Sequence, residues 1–168
     1  AIELPTGLAI LKSTVMSLHH AHFVENPGYY FDFMEFAAND DKDNTPSTPC
    51  ISLIYGLDCQ LQRFFAEGLE ARWERHRVMA ERTRNWVLER GFELFAPEGA
   101  RSVTLTSVAN SRGVDLAAIK KQLGEKGYAF DDGYGKIKGK TFRIAHMGDL
   151  QPAELEEFLA VLDGELKG

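Results

Sequence analysis

Two groups of residues in this sequence have side chains that bind anions, and the first is the hexapeptide Asn44-Thr45-Pro46-Ser47-Thr48-Pro49. Its prolines fix φ and push Thr45 and Thr48 towards extended conformations, so short hydrogen-bonding side chains stand on a stiff backbone. Because such donors lose little entropy on binding, the turn suits an anion. The pattern also predicts a helix N-cap, in which Ser47 or Thr48 satisfies the first amides of the following helix.

The second group centres on Arg143, in the middle of the apolar stretch 141–147. Alternation along a strand places Phe142 and Ile144 on one face and Arg143 and Ala145 on the other. The planar guanidinium suits a carboxylate that binds with both oxygens. A structural ion pair with a nearby acid, or an exposed position at an edge, is the alternative interpretation.

A basic loop precedes this stretch and alternates glycine with lysine. No helix follows it, so it does not have the order of a dinucleotide or phosphate-loop fingerprint. We interpret it as a flexible hairpin-like loop that could close over an acidic substrate. Its residues are Gly133, Gly135, Lys136, Lys138, Gly139 and Lys140.

Three other groups of residues are weaker candidates for chemistry. His19, His20 and His22 lack further ligands at a convincing spacing, so we predict a surface cluster and no metal site. Cys50 has no obvious local base and is expected to pack in the core. The two tryptophans, at 73 and 86, are likewise predicted core residues.

The elements that must position these residues follow from hydrophobic periodicity. A buried strand is predicted over 7–13, and helices over 51–66 and 69–90. Residues 29–36 are predicted to be strand-like or a short ordered aromatic segment. One face of the second helix should bury Trp73, His76, Ala80, Thr83 and Val87, with Arg72 largely elsewhere. Residues 92–168 should form an α/β unit of four strands and two helices: strands 92–96, 103–109, 128–130 and 141–147, and helices 116–126 and 152–166.

Composition limits the classes of partner. The 168 residues are 44% hydrophobic and carry a net charge of −6, which argues against a nucleic-acid or anionic-membrane partner. The sequence has no apolar run long enough to span a membrane. Two cysteines suggest a reducing compartment, and we expect a cytoplasmic protein.

Read in order, four segments resemble the C-terminal half of class V aminotransferases, close to the alanine–glyoxylate and serine–pyruvate group. They are the hexapeptide, Ile51–Leu57, Glu67–His76 and Gly139–Ile144. The resemblance implies a fold-type I α/β architecture, pyridoxal 5'-phosphate as cofactor and a homodimer. Residues 1–66 would then end the large domain, 67–91 form a long linking helix, and 92–168 form the small C-terminal domain.

The resemblance also assigns roles. Asn44, Thr45 and Thr48 match the turn that reaches the cofactor phosphate of the neighbouring subunit, and Arg143 matches the arginine that holds the α-carboxylate of a small amino or keto acid. The family's Schiff-base lysine precedes the segment that starts here at Ala1, so we expect a C-terminal fragment that does not transaminate alone. A non-catalytic α/β interaction or dimerisation module is the alternative, and cysteine desulfurases and phosphoserine aminotransferases share the fold.

Overall fold

The computed structural model describes residues 14–166, so the strand predicted over 7–13 lies outside the described residues. Within this range the chain divides into two compact units, residues 14–63 and residues 64–166. None of the helices in the described range is long and apolar enough to cross a membrane. The predicted division of the chain at residues 66 and 91 stays a prediction.

The N-terminal unit contains two short helices and the start of a longer one. Helix α1 (Val15–Ala21) begins at Thr14, and helix α2 (Phe33–Asp40) begins at Asp32. The strand-like alternative predicted for 29–36 is therefore wrong. Its aromatic residues favour a strand, but the Asp32 carboxylate accepts hydrogen bonds from the next amides of α2 and starts a helix instead.

Helices α3 (Ile51–Glu67) and α4 (Leu69–Glu89) confirm the two long predicted helices. Gly68 separates them with a φ of 87°, a conformation that favours glycine. The predicted α4 face is wrong in two places, because Trp73 is 61% exposed and Arg72 is only 5% exposed. Arg72 can be buried because its guanidinium lies over the Phe64 ring and pairs with Glu67 and Asp149.

The C-terminal unit is built on a three-stranded antiparallel sheet in the order β1 (Glu93–Leu94), β2 (Leu105–Ala109), β3 (Thr141–Ala145). Helices α5 (Leu116–Glu125) and α6 (Pro152–Glu165) confirm the two predicted helices, and Asp115 caps α5 as predicted. The fourth predicted strand, 128–130, is not formed. After α5 the chain meets β3 through two isolated bridges, Asp131 with Arg143 and Lys138 with Thr141.

One core lies between α4, the sheet and the helices α5 and α6. Trp86 from α4, Phe142 from β3 and Leu159 from α6 are each 1% exposed. The apolar face of β3 is therefore fixed against the core, which leaves Arg143 on the opposite face. The other buried apolar residues are Met79, Val87, Phe92, Val108, Leu116, Ile119, Leu123, Phe130, Ile144, Leu155 and Leu162.

Candidate functional site

Arg143 occupies the middle of β3, opposite Ser107 of β2. Its strand neighbours Phe142 and Ile144 are both 1% exposed, whereas the side chain of Arg143 is 39% exposed. The alternation predicted from the sequence is thus confirmed. Core packing of its two neighbours holds the arginine backbone in place, so the guanidinium starts from a rigid element.

Asp131 is the partner of this guanidinium. Arg143 Nη2 donates a hydrogen bond to Asp131 Oδ2, and the Arg143 amide donates to the Asp131 carbonyl oxygen at 3.1 Å. The other carboxylate oxygen, Oδ1, accepts from the Gly133 amide at 2.8 Å. The guanidinium of Arg143, chiefly through its hydrogen bond, lowers the pKa of Asp131, and Asp131 raises the pKa of Arg143.

The guanidinium keeps free hydrogen-bonding capacity. Arg143 Nε is buried and has no hydrogen-bond partner among the residues that the structure describes. Arg143 and Asp131 lie at a cleft of about 820 Å³, whose apolar lining includes Phe130, Leu155 and Phe158. The side chain of Arg143 is 39% exposed, so a ligand in this cleft that brings acceptor oxygens can meet the exposed part of the side chain.

The turn that follows Asp131 is held by a backbone hydrogen bond and an ion pair, both made by Asp132. Asp132 is buried, pairs with Lys120 at 2.7 Å and accepts the Gly139 amide through its carbonyl at 2.7 Å. Gly133 has a φ of 89°, and a Cβ there would lie 2.6 Å from the Ile137 carbonyl oxygen. These contacts fix both ends of the basic loop, while its lysines point to the surface.

The loop after β3 is fastened to α4. Arg75 donates to the carbonyl oxygens of Leu150 and Gly148, and His76 Nε2 lies 3.2 Å from the Gly148 oxygen. Glu67 pairs with Arg75 through both carboxylate oxygens. The hydrogen bond from Arg75 is the main reason that the pKa of Glu67 falls to about 2.

The hexapeptide turn is exposed and lies in the N-terminal unit. The Thr45 hydroxyl donates to the Ser47 carbonyl at 2.8 Å, and the Tyr29 hydroxyl donates to the Pro46 carbonyl at 3.1 Å. The hydroxyl of Thr48 has no partner among the residues that the structure describes. One hydroxyl of the turn is therefore directed by the backbone, and another is available to a ligand.

The predicted N-cap is not formed by Ser47 or Thr48. The Cys50 carbonyl accepts from the amides of Leu53 and Ile54 and so begins α3. Cys50 is also exposed, which makes its predicted core position wrong. The sequence pattern placed the cap two or three residues too early, because Cys50 is the residue whose carbonyl accepts the first helical amides.

The structure thus brings Arg143 together with Asp131, and places Asn44, Thr45 and Thr48 on a single turn of the other unit. Sequence reasoning missed Asp131. An acidic residue between two predicted strands, followed by another acid and a glycine, is a weak signal, and only the bridge to β3 reveals the pairing.

Comparison with known proteins gives related sequences and a related fold, although no family model matches the chain. The chain is 36% identical over 142 residues to an uncharacterized aminotransferase of Methanocaldococcus jannaschii, covering 83% of this chain and 37% of that protein. It is 34% identical over 162 residues to serine–glyoxylate aminotransferase of Methylorubrum extorquens, covering 92% and 40%. The crystal structure of ureidoglycine–glyoxylate aminotransferase from Bacillus subtilis superposes with a TM-score of 0.77 at 24% identity, covering 91% and 40%. The chain spans about two fifths of the length of these relatives.

Proposed function

We propose that the whole protein is a transaminase. This chain belongs to the class V pyridoxal-phosphate-dependent aminotransferases, which have the fold-type I architecture, and it matches their C-terminal part. The whole protein moves an amino group between a small amino acid and an α-keto acid, such as alanine or serine with glyoxylate or pyruvate. The observation that carries this proposal is Arg143, held on a rigid strand with its side chain partly exposed at a cleft.

In this proposal Arg143 binds the α-carboxylate shared by every amino and keto acid substrate. A carboxylate brings two acceptor oxygens, and the guanidinium has five donors in a fixed plane. The position of Arg143 on β3 keeps the carboxylate oriented while the reaction proceeds at the α-carbon, so the arginine acts by positioning.

The hexapeptide turn fits the phosphate of the cofactor by the chemistry of its donors. Hydroxyl and amide donors on a stiff backbone match phosphate oxygens, and Thr48 has no competing partner in the described part of the chain. We assign Asn44, Thr45 and Thr48 to phosphate binding across a homodimer. When bound, pyridoxal phosphate supplies the electron sink for amino transfer, and the lysine that carries it belongs to the rest of the full-length protein.

We place this homodimer in the cytoplasm, and its exposed unpaired thiols, Cys50 and Cys59, are compatible with a reducing compartment.

Replacing Arg143 tests the proposal in the full-length holoenzyme. Arg143→Leu should lower kcat/KM for both amino donor and keto acid by about 100-fold, because a substrate charge loses its hydrogen-bonded partner. Arg143→Lys should recover part of the loss, since an ammonium keeps the charge without the planar fork.

The matched control is Arg77→Leu, since Arg77 lies on the exposed side of α4 and pairs with Glu74. Its kcat/KM should stay within about twofold of the parent, as expected for an exposed pair. An Arg143→Leu enzyme with unchanged kcat/KM would contradict the proposed function.

A further inference from the structure

The ionisable side chains of the cleft are mostly acidic. Among the described residues that line it, Arg143 is the one basic residue, whereas Asp131, Glu154 and Glu157 are acidic. Glu154 accepts from the Gln151 amide at 2.7 Å, and Glu157 accepts from the Tyr128 hydroxyl at 2.6 Å. Both glutamates therefore have partners on or near α6, and Asp131 is the acid that contacts the arginine.

We propose that Asp131 is a positioning residue that holds the Arg143 guanidinium at the cleft and, by its charge, weakens the binding of substrate carboxylates to it. This inference rests on the proposed function of Arg143. It assigns two opposite effects to one carboxylate: the hydrogen bond orients the arginine, and the negative charge competes with the incoming anion.

Backbone amides hold Asp131 in place. Its backbone carbonyl accepts from the Arg143 amide, and its side-chain Oδ1 accepts from the Gly133 amide. Both the backbone and the carboxylate of Asp131 are therefore held by hydrogen bonds. Only Oδ2 reaches the guanidinium, at Nη2. The substrate carboxylate must therefore share the arginine with a fixed acid, and not simply replace a mobile one.

The negative charge of Asp131 repels a second carboxylate at the same guanidinium, so it lowers the affinity of Arg143 for the substrate carboxylate. Both members of the pair are partly exposed, 39% for Arg143 and 44% for Asp131, so solvent screens their interaction. Coupling between such exposed charges is modest, and removal of the Asp131 charge should tighten carboxylate binding by about threefold to tenfold.

The experiment measures carboxylate binding in the full-length holoenzyme. Propionate is the probe, because it carries a carboxylate but neither an amino nor a keto group, and its Ki is obtained as a competitive inhibitor. Asp131→Asn removes the charge and keeps an acceptor oxygen, whereas Asp131→Ala removes both. Asp132→Asn is the matched control, since the neighbouring acid pairs with Lys120 and not with Arg143.

We expect Asp131→Asn to lower the Ki of propionate by about threefold to tenfold and to lower KM, with kcat within about twofold. The Ki of Asp131→Ala should be at least about threefold higher than that of Asp131→Asn, because the guanidinium loses its anchor as well. Asp132→Asn should leave the Ki within about twofold. A Ki that is unchanged or higher in Asp131→Asn overturns the inference, and equal values for the two Asp131 variants overturn its positioning part.

A double-mutant cycle separates this inference from the proposed function. In an Arg143→Leu background, Asp131→Asn should have no effect on the Ki of propionate. If Arg143→Leu weakens propionate binding but Asp131→Asn alone does not tighten it, only the inference about Asp131 fails. If Arg143→Leu leaves propionate binding and kcat/KM unchanged, the proposed function itself fails.

Discussion

His146 should make the C-terminal unit lose stability below neutral pH. The side chain follows β3 and is fully buried, and its Nε2 lies 2.9 Å from the Thr106 hydroxyl. Its Nδ1 is buried without a partner in the described part of the chain. Burial is the main reason that its pKa falls from 6.5 to about 4, because the low-dielectric core disfavours the imidazolium.

The direction of the effect follows from which state binds the proton. The unfolded chain takes up a proton on His146 near pH 6.5, whereas the folded chain does so only near pH 4. The contribution of the neutral His146 to the free energy of unfolding is therefore fully present above pH 6.5 and decreases as the pH falls towards 4. The full loss is about 3 kcal/mol at 1.36 kcal/mol per pKa unit, and about 2 kcal/mol of it is expressed at pH 5.

Urea unfolding at pH 7.5 and pH 5.0, followed by circular dichroism and tryptophan fluorescence, measures this loss. In His146→Gln the decrease in unfolding free energy between the two pH values should be smaller than in the parent by about 2 kcal/mol. His76, whose pKa burial also lowers, keeps its own contribution in that variant. His22→Gln is the control, since His22 is exposed in the other unit. A His146→Gln chain with the parent's full pH dependence would refute the reasoning.

Three further substitutions test other parts of the structure. Glu67→Gln should lower the free energy of urea unfolding at pH 7 by about 2 kcal/mol, because Arg75 is left buried without its charged partner and Arg72 keeps only Asp149. A smaller loss than in an exposed control, Glu81→Gln, would contradict this. Gly133→Ala should cost about 2 kcal/mol or more, since both its φ and the nearby Ile137 oxygen oppose a Cβ, and an unchanged urea midpoint would count against it. In the full-length protein, Thr48→Val should raise the Kd of pyridoxal phosphate about tenfold in a spectroscopic titration, because a hydrogen bond to a charged group is lost; an unchanged Kd would remove Thr48 from the phosphate site.

The local sequence pattern was sufficient to predict the strand that carries Arg143 and the division of its residues between two faces. The alternation of residues 141–147 predicted that Phe142 and Ile144 share one face of β3 and that Arg143 lies on the other, and Asp115 and Gly68 marked helix boundaries correctly. These features depend on side-chain period, capping and glycine conformation, which act over a few residues. Four segments that occur in the same order as in class V aminotransferases then predicted the family, which the relatives confirm.

Long-range contacts decided the chemistry around those elements. Asp131 reaches Arg143 across 12 residues, and the buried Arg72 pairs with Asp149, 77 residues away. The burial of His146 likewise requires the neighbouring strand β2. No local pattern encodes such pairings, because the energy of a buried charge depends on partners that folding brings together. The sequence alone determined that Arg143 lies on the face of a strand opposite Phe142 and Ile144, and tertiary structure decided that this face is partly exposed and that Asp131 is the acid in contact with it.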